Sequence, residues 1–122
     1  MKISKYFSDT EFMSKDGDNS STPFPKTIVS PKLLELLDKI REEIGVPVLV
    51  NSGYRSPAHN KAVGGVSNSQ HVFGTAADIT IKDKNKLKSL KEICDRLNPD
   101  GGVGLNYNTF VHVDVRGKRA RW

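Results

Sequence analysis

The chain has 122 residues, enough for one compact domain with a hydrophobic core and too few for two. Hydrophobic residues make up 36% of it, and no run approaches the roughly 18 consecutive apolar residues a membrane-spanning helix needs. Nineteen Lys and Arg against 14 Asp and Glu give a formal charge of +5, which speaks to solubility and loose association rather than to a partner, and a single cysteine excludes an internal disulfide.

In chain order, Tyr6-Phe7 and Phe12-Met13 predict a short turn or helix packed on the core. The N-terminal stretch turns polar early and lacks the apolar core of a secretory signal peptide. Residues 15–27 are rich in Gly, Ser, Thr, Pro and Asp and read as a flexible loop. Ser30-Pro31 then opens a helix, with the serine as cap and the proline in the first turn, where its missing N–H costs nothing. Leu33, Leu36, Leu37, Ile40 and Ile44 recur at helical spacing, and Gly45 ends the helix. Residues 46–50 predict a buried strand with Pro47 near its start.

Residues 51–70 form a polar stretch hung on that strand, with a short helix from Pro57 to about Val63 broken by Gly64-Gly65. Loops of this kind are where sites are usually built. Residues 76–81 predict a strand and 84–97 a second long helix, with Leu87, Leu90, Ile93, Cys94 and Leu97 on one face. Cys94 there reads as a small buried hydrophobe. Residues 103–107 and 110–115 predict two strands joined by a tight turn around Asn108. Three or four strands with helices beside them make an α+β domain.

The nitrogen donors are His59, His71 and His112. With one cysteine, a zinc site here must combine histidine with carboxylate and keep one position open for catalytic water. Asp78 follows His71 across Phe73-Gly74-Thr75, a segment able to turn the chain back. Strand alternation sets Val111, Val113 and Val115 on one face and His112, Asp114 and Arg116 on the other. The same spacing also describes a strand histidine with an ordinary hydrogen-bond partner and a structural carboxylate at Asp78, so spacing alone leaves both readings open.

Six blocks occur in order: Ser52-Gly53-Tyr54-Arg55-Ser56-Pro57, His59-Asn60, Val63-Gly64-Gly65, Asn68-Ser69-Gln70-His71, Gly74-Thr75-Ala76-Ala77-Asp78-Ile79 and Phe110-Val111-His112-Val113-Asp114-Val115-Arg116. Together, over residues 7–122, they resemble the zinc D-alanyl-D-alanine carboxypeptidases and related peptidoglycan peptidases. The resemblance implies one domain over residues 1–122, a small antiparallel sheet flanked by helices in the hedgehog/D-Ala-D-Ala peptidase manner. It implies Zn2+ held by His71, Asp78 and His112, with a water at the fourth position whose pKa the metal lowers. It implies Arg55 as the arginine that orients substrate through its fork of donors.

One departure stands out. The family's acidic base lies three positions before the last ligand histidine, and that position is Thr109, which cannot take a proton. Asp114 is the nearest candidate base by sequence, and it equally fits a carboxylate that orients a ligand imidazole. Tyr54 and Tyr107 are candidate hydrogen-bond donors to the tetrahedral intermediate, while His59, Ser69 and Gln70 suit structural or cleft roles.

The implied activity is hydrolysis of peptide bonds involving D-amino acids in peptidoglycan stem peptides, as a carboxypeptidase or endopeptidase. Small relatives of this kind are endolysin-like enzymes of bacteria and phages, acting from the host cytoplasm before lysis, from the virion or at the wall, and a monomer is expected. The alternative is a non-catalytic, zinc-containing binding or structural module of the same fold, to which Thr109 lends weight. Nucleic-acid binding rests only on charge, including a tail with Arg116, Lys118, Arg119 and Arg121 read as solvated or as a contact for an anionic polymer, and it lacks an aromatic platform.

Overall fold

Helix α1 (Pro31–Ile44) begins and ends where its sequence signals lie. In the computed structural model, which describes all 122 residues, Ser30 Oγ accepts from the Lys32 N–H at 3.2 Å. At the other end Gly45 takes φ 75°, a left-handed conformation that a Cβ would strain, and donates to the Arg41 carbonyl. The stripe of Leu33, Leu36, Leu37 and Ile40 is buried, each side chain contributing about 1.5–3 kcal/mol of hydrophobic stabilisation. Helix α3 (Leu87–Leu97) packs beside α1 and buries Leu87, Leu90 and Cys94, with Arg96 paired to Glu43 across the helices. It starts later than expected because residues 84–86 form a separate 3-10 turn, with Asp83 accepting from the Asn85 N–H.

The strands are β1 (Leu49–Ser52), β2 (Ala76–Thr80), β3 (Gly102–Gly104), β4 (Val111–Asp114) and β5 (Ala120–Arg121), and the short helix α2 (Pro57–Ala62) follows β1. They form one five-stranded sheet in the order β1-β2-β4-β3-β5. Ala77, Ile79, Val103, Val111 and Val113 join the α1 and α3 side chains in a single core cluster.

Three expectations change. Strand β1 starts at Leu49 rather than residue 46, because Pro47 has no N–H to give to a ladder. It is also an edge strand, with Leu49 and Asn51 exposed and Val50 and Ser52 half-buried, where a buried strand was expected. The β3–β4 hairpin closes through residues 105–110, not a tight turn, because the Leu105 N–H leaves the ladder and pairs with the Trp122 carbonyl.

A further change is at the C-terminal segment. Strand β5 passes β4's neighbour and pairs with the far side of β3, Gly102 opposite Ala120 and Val103 opposite Arg121, so the sheet is mixed rather than purely antiparallel. Arg121 anchors it through Asp95 (2.6 Å) and the carbonyls of Gly101 (2.7 Å) and Asn98 (2.9 Å). The basic tail is therefore largely committed to its own fold: Arg119 also faces Asp95, and Arg116 is paired with Asp114.

Residues 15–27 form turns without helix or strand. Asp16 ties this segment to the start of α2, accepting from Ser14 Oγ (2.7 Å) and Ser56 Oγ (2.6 Å). No helix is long and apolar enough to cross a membrane.

Candidate metal centre

The β2–β4 register sets Asp78 directly opposite His112, and the β1–β2 register sets Ser52 beside Asp78. The segment before β2 brings in His71. Its Nδ1 lies 2.7 Å from the Gly53 carbonyl, which only accepts, so Nδ1 carries the proton. Gly53 sits where it does because Phe12 presses on the same spot: a Cβ there would come within 2.7 Å of the Phe12 Cα. Three chain segments thus converge on one carboxylate.

With Nδ1 protonated, a neutral His71 turns the lone pair of Nε2 toward Asp78 Oδ2, 3.3 Å away. His112 has a similar conflict on both sides: Nδ1 is 2.9 Å from Asp78 Oδ1 and Nε2 is 2.8 Å from Asp114 Oδ2. A neutral imidazole has one N–H and cannot serve two carboxylates. Either extra protons or a cation must sit among these groups. A metal ion would resolve both conflicts: His71, Asp78 and His112 could hold it, and His112 Nε2–H would be left to donate to Asp114. Tetrahedral zinc with bonds of about 2.0–2.1 Å holds its ligand atoms roughly 3.3 Å apart. The three ligand atoms here lie within 4.8 Å of one another, and all three residues are buried. The imidazoles meet edge to face, 5.3 Å between centroids.

The protonation balance has the same origin. Burial by itself would raise the Asp78 carboxyl, but hydrogen bonds and charge from His112 and His71 hold it well below the usual carboxylate range. Burial would lower His112, yet Asp114 and Asp78 on its two nitrogens raise it.

Asp114 is fully buried at 0% exposure. Its Oδ1 accepts from the Gly102 N–H (3.1 Å), the Arg116 N–H (3.2 Å) and Arg116 Nε (2.8 Å), and its Oδ2 faces His112 Nε2 and Arg116 Nη2 (2.7 Å). Against the cost of burial, Arg116 and His112 depress its carboxyl strongly. Arg55 lies on the other side, Nη2 3.6 Å from Asp78 Oδ2, with Nε on Ser52 Oγ (3.2 Å) and Nη1 on Asn60 Oδ1 (3.3 Å). The three candidate ligands open into a cleft of about 530 Å³ that Arg55, Ser69, Gln70, Tyr107, Phe110, Arg116 and Trp122 also line.

A profile of the Peptidase M15 family matches residues 5–114. The chain belongs to the peptidase M15 family. A zinc D-Ala-D-Ala carboxypeptidase of Streptomyces albus G is 48% identical to this M15 chain over 44 residues, which is 35% of the chain and 17% of that relative's length.

The residues singled out from sequence fall into two groups. His71, Asp78, His112, Asp114 and Arg55 are brought together. His59 lies half-buried on α2, with its N–H on Ser56 Oγ, and does not line the cleft. Tyr54 is 1% exposed and packed in the core, its hydroxyl without a protein partner, while Tyr107 stands in the cleft wall. Ser69 Oγ accepts from the His71 N–H, and Gln70 Oε1 accepts from Thr75 Oγ1. Sequence reasoning missed Phe110 and Trp122 as cleft residues. The one available signal was the crowding of Tyr107, Phe110 and Trp122 near the end of a chain with only 7% aromatics.

Proposed function

We propose that this M15 chain is a zinc-dependent peptidase that hydrolyses peptide bonds in peptidoglycan stem peptides. The observation that carries the reading is the donor set: two imidazole nitrogens and a carboxylate within 4.8 Å of one another, whose hydrogen-bonding demands added protons or a cation would reconcile. Zinc bound by His71, Asp78 and His112 supplies a Lewis acid and lowers the pKa of a coordinated water.

The chain's own residues do the rest. His71 is fixed in one tautomer by the Gly53 carbonyl, and His112 is braced from behind by Asp114. Asp114 acts as the carboxylate that orients His112, the second of the two roles its sequence position allowed, since both of its oxygens are occupied and it is sealed from the cleft. Arg55 and Arg116 balance Asp78 and Asp114, so a divalent ion leaves the cleft net positive, which suits a substrate ending in a carboxylate. Arg55 orients that carboxylate with the donors Ser52 and Asn60 leave free.

Thr109, exposed and with its carbonyl taken by Thr80 Oγ1 at 2.6 Å, supplies no acid where the family carries one, and this favours a second reading as a zinc-holding module without catalysis. One experiment separates the two. The purified protein is assayed for metal by elemental analysis and incubated with purified peptidoglycan, and the products are read by mass spectrometry. About one zinc per chain with release of D-amino acids or cut stems is expected. Stoichiometric zinc without any cleaved stem would establish the non-catalytic module, and absence of bound zinc would sink both readings.

A further inference from the structure

We propose that Tyr107 is the hydrogen-bond donor that stabilises negative charge on the carbonyl oxygen of the scissile peptide bond, with its hydroxyl oriented by Trp122. The inference rests on the peptidase reading and assigns a task which the metal ligands and the arginines leave open.

The phenol ring is held from several sides. Phe110 stacks on it with ring centroids 4.3 Å apart and planes 19° from parallel. Gly104 provides the floor. A Cβ at that glycine would lie 2.8 Å from Tyr107 Cε2, 2.8 Å from Trp122 Nε1 and 3.0 Å from the Cβ of His112. The bare α-carbon is therefore the spot where the phenol, the indole and a ligand histidine meet, and it brings the phenol beside the metal centre. Trp122 in turn lies 5.0 Å from the His112 ring and under the Arg116 guanidinium at 5.2 Å.

The direction of the hydroxyl proton follows from donor accounting. Trp122 Nε1 is 2.9 Å from Tyr107 Oη. An indole N–H only donates, so the phenol oxygen accepts, and its own proton turns away from the indole. No protein acceptor takes that proton, and the residue lines the cleft. An O–H whose oxygen already accepts a hydrogen bond is a stronger donor through mutual polarisation.

The arginines and the second tyrosine have other tasks. The Arg116 fork is spent on Asp114, the N–H groups that Arg55 keeps free of Ser52 and Asn60 are assigned to the substrate carboxylate, and the Tyr54 hydroxyl is buried in the core. Asn68, Ser69 and Gln70, on the segment leading to His71, also offer neutral donors to the cleft; Tyr107 differs in standing beside the ligand His112 with its oxygen already accepting from an indole. No bond to it forms or breaks: the phenol keeps its proton throughout, and the hydrogen bond strengthens as charge develops on the carbonyl oxygen. Trp122 is a positioning residue that acts through Tyr107.

The test is a cycle of Tyr107→Phe, Trp122→Phe and the double variant, all loaded with zinc. Tyr107→Phe keeps the ring on Phe110 and removes one oxygen. Its kcat on a stem peptide is expected to fall about a hundredfold, the usual loss of one oxyanion donor, with zinc content unchanged and KM within about threefold. Trp122→Phe costs a smaller factor, and the double variant is no worse than Tyr107→Phe, because the indole's effect runs through the missing hydroxyl. Two readouts do not depend on turnover. Trp122 is the sole tryptophan, so its fluorescence maximum shifts in metal-free Tyr107→Phe as the N–H loses its acceptor. A phosphinate isostere of the cleaved unit, tetrahedral and anionic, binds Tyr107→Phe more weakly by calorimetry, by about the factor lost in kcat. A kcat within about threefold of the parent, additive losses in the double variant or unchanged phosphinate affinity would each overturn the assignment. A parent enzyme that binds no zinc or cuts no stem peptide refutes the peptidase reading itself and takes this assignment with it.

Discussion

On one face of β4, Val111 and Val113 are buried at 0% exposure within the α1–α3 core; on the other, His112 and Asp114 are nearly as buried, at 8% and 0%. Equal burial rests on different physics. The valine face is held by non-directional apolar contact, where shape and volume decide. The polar face is stable only if every donor and acceptor finds its partner, because an unpaired buried charge costs several kcal/mol. Asp114 meets that demand through Arg116, Gly102 and His112, whereas Asp78, His71 and His112 meet it only with added protons or a metal. The contrast separates a face that makes the fold from a face that makes the site.

The sharpest way to break the contrast is to change one residue on each side. Asp78→Ala is expected to abolish stoichiometric zinc and reduce cleavage to background while the chain still folds. Leu37→Ala, in the core beneath, is expected to keep its zinc and lose about 3 kcal/mol of stability in urea titration. Full zinc occupancy in Asp78→Ala would remove Asp78 from the ligand set.

Asp114→Asn comes next. It preserves shape and removes the charge behind His112. Metal affinity or activity is expected to drop about 10–100-fold, with activity recovering in part as zinc is added. A zinc-saturated variant that stays about a hundredfold or more below the parent would instead return Asp114 to the role of base.

Arg55→Lys tests the rim of the polar face. A lysine keeps the charge but cannot reproduce the fork that reaches Ser52, Asn60 and the cleft together. The expected outcome is unchanged zinc and catalytic efficiency down roughly tenfold, the worth of one charged hydrogen bond. Parent-level kinetics would show that the fork is dispensable.

The smallest effect belongs to the apolar side. Burial pushes the Cys94 thiol up from 9.0 to about 12, so it stays neutral and shielded in the native state. Alkylation at pH 8 is expected only on unfolding. The unfolded chain ionises this thiol first, so stability should decline as pH rises from about 9 toward about 12. Cys94→Ala should flatten that part of the pH profile, and an unchanged slope would place its origin elsewhere.

The parts legible in the sequence were those governed by local periodicity and short-range chemistry. Ser30, the leucine stripe and Gly45 specify α1 because capping and amphipathic burial act within a few residues. The alternation around His112 specifies which side chains share a face because strand geometry has a period of two. Those rules left a metal site and an ordinary hydrogen-bonded pair both open, and it was the resemblance carried by the ordered blocks from Ser52 to Arg116 that nominated His71, Asp78 and His112 as a set.

Only the tertiary structure decided the pairings between segments distant in sequence. The parallel placement of β5 on β3 could not be read locally, because Arg121 is held by Asp95 and by carbonyls of the turn after α3. The same placement brings Trp122 over His112 and onto Tyr107, making cleft wall out of what reads as a solvated basic tail. The surroundings of Asp114 likewise come only from the fold, which fills its oxygens with Arg116, Gly102 and His112, since hydrogen-bond satisfaction depends on which groups are neighbours in space.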